Sequence, residues 1–107
     1  MRRFLYRSPR FKTEVPMDFI LGDAVILGTC LNLSESGLRG TFSLPVPLAS
    51  QGIVTLYLGE RGFQVHARVD SIRRDEVRLG FHFDSEDEQE NIRELLKLVL
   101  PTPSGLR

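Results

Sequence analysis

Three stretches of this chain alternate apolar and polar residues with a period of two, and that pattern commits it to half-buried strands. Val15, Met17, Phe19 and Leu21 in VPMDFIL form one apolar face; Phe63, Val65, Ala67 and Val69 in FQVHARV form a second; Val77, Leu79, Phe81 and Phe83 in VRLGFHF form a third. Two further stretches, AVILGTCL (24–31) and GIVTLYL (52–58), are apolar on both faces, as expected of central strands or strands also covered by a helix. A sixth strand resumes at Leu38. Turn signals at Gly22-Asp23, Pro45 to Gly52, Gly59 to Gly62 and Arg73 to Glu76 have the spacing of consecutive antiparallel hairpins. After Asp84 the period changes. Ile92, Leu95, Leu96 and Val99 fall at i, i+3, i+4 and i+7, and Ser85 with Glu88 makes a capping box. The spacing predicts one amphipathic helix, stopped by Pro101 and Pro103. Six antiparallel strands have edges to protect, and closure removes them. The expected fold is mainly β: a six-stranded antiparallel β-barrel with a C-terminal amphipathic helix able to plug one mouth.

A length of 107 residues suits one domain with a modest core. The chain divides into a flexible basic N-terminal arm (1–12), the barrel plus helix (13–100), and a disordered tail (101–107) containing Pro101, Pro103 and Gly105 with Leu106 as its one large apolar residue. No apolar run is long enough to span a bilayer, and the Met-Arg-Arg start leads into no signal-like core. The protein is therefore expected to be cytoplasmic, unprocessed and without membrane insertion. Cys30 is the single cysteine, which excludes an internal disulfide and a multi-cysteine zinc site; it reads as a small buried hydrophobe. His66 and His82 alternate with apolar residues and so should face solvent, with no acid partner legible. Asp70, Asp75 and Glu76 read as solvated charges flanking a turn. No catalytic constellation, metal cluster or phosphate loop can be read in the sequence, so the chain is not expected to be an enzyme or to hold a cofactor or metal; its function should be binding.

The balance of 14 basic and 14 acidic side chains hides an asymmetry. Arg2, Arg3, Arg7, Arg10 and Lys12 crowd the first twelve residues, whereas Asp84, Glu86, Asp87, Glu88 and Glu90 favour a helix N-terminus. Between them the apolar run breaks at CLNLSESGLRG (30–40). Asn32, Ser34 and Gly37 stand where one strand ends and the next begins. Residues two apart in extended chain project to one side, so an amide and a hydroxyl side by side could satisfy a base edge or a phosphate oxygen, with Gly37 permitting positive φ or close backbone approach. A turn in which Asn32 and Ser34 cap their own backbone accounts for the same residues. Arginine forks at Arg7 and Arg10 would add bidentate contacts to phosphate or guanine.

This combination resembles the PilZ domain, the bacterial receptor module for cyclic di-GMP. The family is marked by an N-terminal arginine pair and, about twenty residues on, by [Asp/Asn]-x-Ser-x-x-Gly, here Asn32-Leu33-Ser34-Glu35-Ser36-Gly37. SPRFKTEVPM looks like the family's entry into its first strand, VHARVDSIRRDEVRLGFHF like its last hairpin and SEDEQENIRELLKLV like its closing helix. The resemblance implies a six-stranded barrel with a C-terminal helix, binding one or two cyclic di-GMP molecules between the arm and the turn. The implied ligand residues are Arg7, Arg10, Asn32, Ser34 and Gly37, with Arg3 as an alternative. The family's pair is spaced R-x-x-x-R. Here the register makes Arg10 the second arginine and puts Tyr6 where the first belongs, with Arg7 one residue away; Arg3 and Arg7 keep the spacing but lie further from Asn32. A stand-alone receptor would signal through a protein partner, and a homodimer stays open. The alternative is a PilZ-like protein-interaction module that does not bind the nucleotide. A barrel binding single-stranded nucleic acid is disfavoured, because most phenylalanines lie in phase with the core and the net charge is zero.

Overall fold

The computed structural model describes residues 11–99. The arm through Arg10 and the tail, with the disorder expected of each, therefore lie outside the described residues. The elements are β1 (Phe11–Leu21), β2 (Ala24–Leu33), β3 (Gly37–Phe42), β4 (Gln51–Leu58), β5 (Arg61–Arg73), β6 (Glu76–Phe81) and α1 (Glu86–Val99). The strands close into an antiparallel barrel in the order β1-β2-β3-β6-β5-β4. β1 pairs with β4 through Met17↔Leu56 and Phe19↔Val54, which completes the ring and leaves no open sheet edge along those residues.

The three alternating stretches bury the faces their sequences specify. Val15, Met17, Phe19, Phe63, Val65, Ala67, Val69, Val77 and Leu79 are all buried in one core cluster, with Leu21, Phe81 and Phe83 packed against it. Tight hairpins join β1 to β2 (Leu21↔Ala24), β4 to β5 (Leu58↔Arg61) and β5 to β6 (Arg73↔Glu76). Gly22 and Gly59 carry the positive φ that the first position of such two-residue turns requires.

Two expectations fail. The hairpins are not all consecutive: β3 pairs with β6 and β4 with β1, so the segment after β3 crosses the barrel instead of folding back. That segment holds Pro45 and Pro47, which lack the N–H a ladder needs, and it docks on β5 through Ala49 N to Val69 O (2.9 Å) and Val69 N to Ser50 O (2.9 Å). Nor is β2 covered on both faces, because Val25 and Leu27 are exposed on the outside of the barrel. In a closed ring every strand has one inner and one outer face, so an apolar run no longer marks a central strand.

The helix covers the part of β5 that β6 does not reach. Ladder pairing between β5 and β6 begins at Ala67↔Phe81, and α1 serves the residues before it: Asn91 Nδ2 donates to Gln64 O (3.2 Å), and Arg61 meets Glu94 at 3.1 Å. Ile92, Leu95 and Leu96 are buried in the barrel's own core cluster.

Candidate functional site

The chain leaves β2 at Leu33 and enters β3 at Gly37, and Ser34 organises the turn between them. Its amide donates to Gly37 O (2.9 Å), its hydroxyl donates to the same carbonyl (3.2 Å), and its Oγ accepts from Ser36 N (3.3 Å). Ser34 is 2% exposed. Phe81 N donates to Ser36 O (2.9 Å), tying the turn to the end of β6. Gly37 is needed for close approach, not for positive φ: a Cβ there would run into the backbone carbonyl of Leu79 on β6.

Asn32 sits differently. It is the last outward position of β2, half-buried, paired across one ladder with Lys12 of β1 and across the other with Arg39 of β3. Its side chain makes no hydrogen bond among the described residues, and its backbone carbonyl accepts from Cys30 Sγ at 3.4 Å. The expectation that Asn32 and Ser34 project side by side does not hold. The strand ends between them, so Asn32 faces a surface groove while Ser34 turns into the fold. Arg3, Arg7 and Arg10 lie outside the described residues. Arg10 directly precedes Phe11, whose register partner is Leu33, so the arm joins β1 beside the Asn32–Gly37 turn.

The groove beside Asn32 is opened by two irregularities. The β1–β2 ladder shifts register between Lys12 and Val15, and the β2–β3 ladder shifts between Cys30 and Asn32. Such bulges spread neighbouring strands and re-aim side chains. The depression is lined by Thr13, Glu14, Leu31, Asn32, Arg39 and Glu76. Arg39 Nε lies 3.2 Å from Glu76 Oε1, and their side chains are 36% and 46% exposed. Glu76, expected to be an ordinary solvated charge, is therefore paired. Arg39 was missed as well; period two from Leu38 puts it outward, but only the non-sequential β3–β6 pairing brings it to Glu76.

A second polar cluster lies where α1 meets β5. Glu88 Oε2 is 2.6 Å from His66 Nδ1, and Glu88 Oε1 accepts from His66 N and Asp84 N, each at 3.0 Å. Burial raises the Glu88 carboxyl, but these donors outweigh it and hold the group below the usual carboxylate range. His66 thus has an acid partner that its sequence neighbourhood does not show. The capping box forms in modified shape: Ser85 Oγ accepts from Glu88 N (3.4 Å), while the Glu88 carboxylate reaches Asp84 N. Cys30 is buried, and desolvation pushes its thiol up to about 12, which leaves it inert as a nucleophile at neutral pH. Phe19 and Phe63 are wholly buried and Phe42, Phe81 and Phe83 pack on the core, so they offer no stacking platform. No helix of the described residues is long and apolar enough to cross a membrane.

The family model of the PilZ domain matches residues 4–100. The chain belongs to the PilZ domain family. The PilZ fold is also what solved structures show. The PilZ domain of CeSA from a cellulose-synthesizing bacterium superposes with a TM-score of 0.72 at 18% identity, covering 86% of this chain and 98% of that one. The Bacillus subtilis inhibitor of motility (MotI/DgrA) gives 0.71 at 17% identity over 92% of this chain and 53% of that one. The K. pneumonia MrkH–cyclic di-GMP complex gives 0.71 at 18% identity over 89% and 52%. The PilZ chain described here thus spans about half the length of the latter two. Comparison with curated proteins finds no match. PilZ domains form a receptor family for cyclic di-GMP, and the matched segment contains the Asn32–Gly37 motif together with Arg7 and Arg10 of the arm, while Arg2 and Arg3 precede it.

Proposed function

We propose that this PilZ domain binds cyclic di-GMP between its basic arm and the Asn32–Gly37 turn, and that a protein partner reads the liganded state. The observation that carries this reading is the meeting of the two motif halves: Phe11 and Lys12 pair with Leu33 and Asn32, so the arginine-bearing arm joins β1 alongside the turn. Asn32 offers its amide to the groove, Gly37 lets β3 approach β6 closely, and Ser34 holds the turn in shape. Arg10 and Arg7 would supply charge-assisted forks to guanine or phosphate.

Titration calorimetry of the chain with cyclic di-GMP tests the reading; saturable binding supports it, and no heat at high micromolar ligand sinks it. The same titration on arginine variants sets the register. Arg10→Ala should weaken binding by about one to two orders of magnitude, Arg7→Ala by a similar or smaller factor, and Arg3→Ala by little. The reverse order assigns the site to Arg3 with Arg7.

One observation favours a second reading. The hydroxyl of Ser34 is already engaged by Gly37 O and Ser36 N, so the turn holds its shape without ligand, as a protein-interaction module that does not bind the nucleotide would also require.

A further inference from the structure

On the outer face of the barrel two arginines oppose each other across the β3–β6 ladder: Arg39 and Arg78 are direct register partners. Like charges in that position repel. Among the described residues Glu76 supplies the compensating carboxylate to Arg39, and Arg78 has no ion-pair partner within 4.0 Å. The Arg39–Glu76 contact is poor. Nε and Oε1 are 3.2 Å apart but not aligned as a hydrogen bond, and the Nε–H is shielded from solvent with no acceptor among the described residues. A shielded, unpaired donor is costly, and a half-exposed ion pair contributes little in return.

Arg39 is also the cross-strand partner of Asn32, and both line the bulge-opened groove together with Glu76 and Glu14. A guanidinium so placed can leave a weak carboxylate partner for a phosphate that accepts two aligned bonds.

We propose that Arg39 is a further anion-binding residue of the nucleotide site, held by Glu76 when the site is empty and transferred to a ligand phosphate on binding. Glu76 is then a built-in competitor that sets the affinity. This rests on the cyclic di-GMP reading above and adds to it a named residue and its regulation. The exchange explains why an acid sits in a groove meant for an anion: Glu76 keeps the Arg39–Arg78 pair from repelling until a stronger acceptor arrives.

The test is a calorimetric titration of cyclic di-GMP into wild type, Arg39→Ala, Arg39→Lys, Glu76→Gln and the double variant at one salt concentration. Arg39→Ala should weaken binding about tenfold or more, and Arg39→Lys should restore only part of the loss, because an ammonium lacks the fork. Glu76→Gln should tighten binding by about two- to fivefold, the scale of releasing one surface ion pair. That gain should vanish in the Arg39→Ala background. In heteronuclear NMR spectra the Arg39 Nε–H signal should move on ligand addition. Wild-type binding with Arg39→Ala unchanged, or with Glu76→Gln no tighter, overturns the inference alone; absence of wild-type binding overturns the receptor reading and the inference with it. Both side chains are half-exposed, so the variants should fold, and denaturation curves overlaying wild type within about 1 kcal/mol verify this.

Discussion

Two carboxylates of this domain meet nitrogen-bearing side chains in opposite ways. At the helix seam Glu88 is 15% exposed, touches His66 Nδ1 at 2.6 Å and also accepts two backbone amides. Beside the turn Glu76 is 46% exposed, meets Arg39 at 3.2 Å without alignment, and leaves a shielded N–H with no acceptor among the described residues. The first joins two elements and takes up the His66 amide on the edge of β5 that faces α1. The second is loosely held and borders a groove. A polar cluster that satisfies itself supports the fold, whereas one that stops short of satisfaction is available to something else.

The largest expected effect is at the seam. Leu95→Ala removes a fully buried side chain from the junction of α1 and the barrel and should cost roughly 2–5 kcal/mol in urea unfolding. If the two regions are as separate as their chemistry implies, any residual folded protein should keep its affinity for cyclic di-GMP. A smaller loss of stability would mean that the helix is a loose cover.

Glu88 comes next. Its carboxyl is held below the ordinary value in the folded chain, so in acid the unfolded state binds the proton first, and stability rises with pH through that window. The contribution is fully present above the ordinary carboxylate pKa of about 4.3 and fades as pH falls through the lower folded value. Glu88→Gln should therefore cost roughly 1–3 kcal/mol at pH 7, the scale of charge-assisted hydrogen bonds, and the difference from wild type should shrink below about pH 4. A difference independent of pH would show that the charge is irrelevant.

The smallest effects separate the two polar motif residues. Ser34→Ala removes the hydroxyl's bonds to Gly37 O and Ser36 N while keeping the backbone bond from Ser34 N to Gly37 O, and should cost about 1–2 kcal/mol. Asn32→Ala, which removes no bond of the corner, should change stability by less than about 0.5 kcal/mol while weakening nucleotide binding. Equal stability losses would place both residues in the turn. Equal affinity losses with stability intact would mean that Ser34 turns outward when ligand arrives.

Much of this molecule was legible in the residues. The period of two in 15–21, 63–69 and 77–83 and the helical period after Asp84 named the buried side chains, because alternation and helical spacing are properties of the local backbone. Asn32-x-Ser-x-x-Gly37 marked the corner where β2 passes into β3 beside the arm, because polar residues and a glycine interrupt the apolar run there. What the residues could not give is what depends on closure. The crossing between β3 and β4, the exposure of Val25 and Leu27, and the parting of Asn32 from Ser34 follow from which strands become neighbours and where each one stops. Arg39 meets Glu76, and His66 meets Glu88, only because β3 lies against β6 and α1 covers the overhang of β5. Strand pairing is decided by packing of the whole ring, in which each edge takes whatever partner buries the shared core, and that choice is written in no single stretch of sequence.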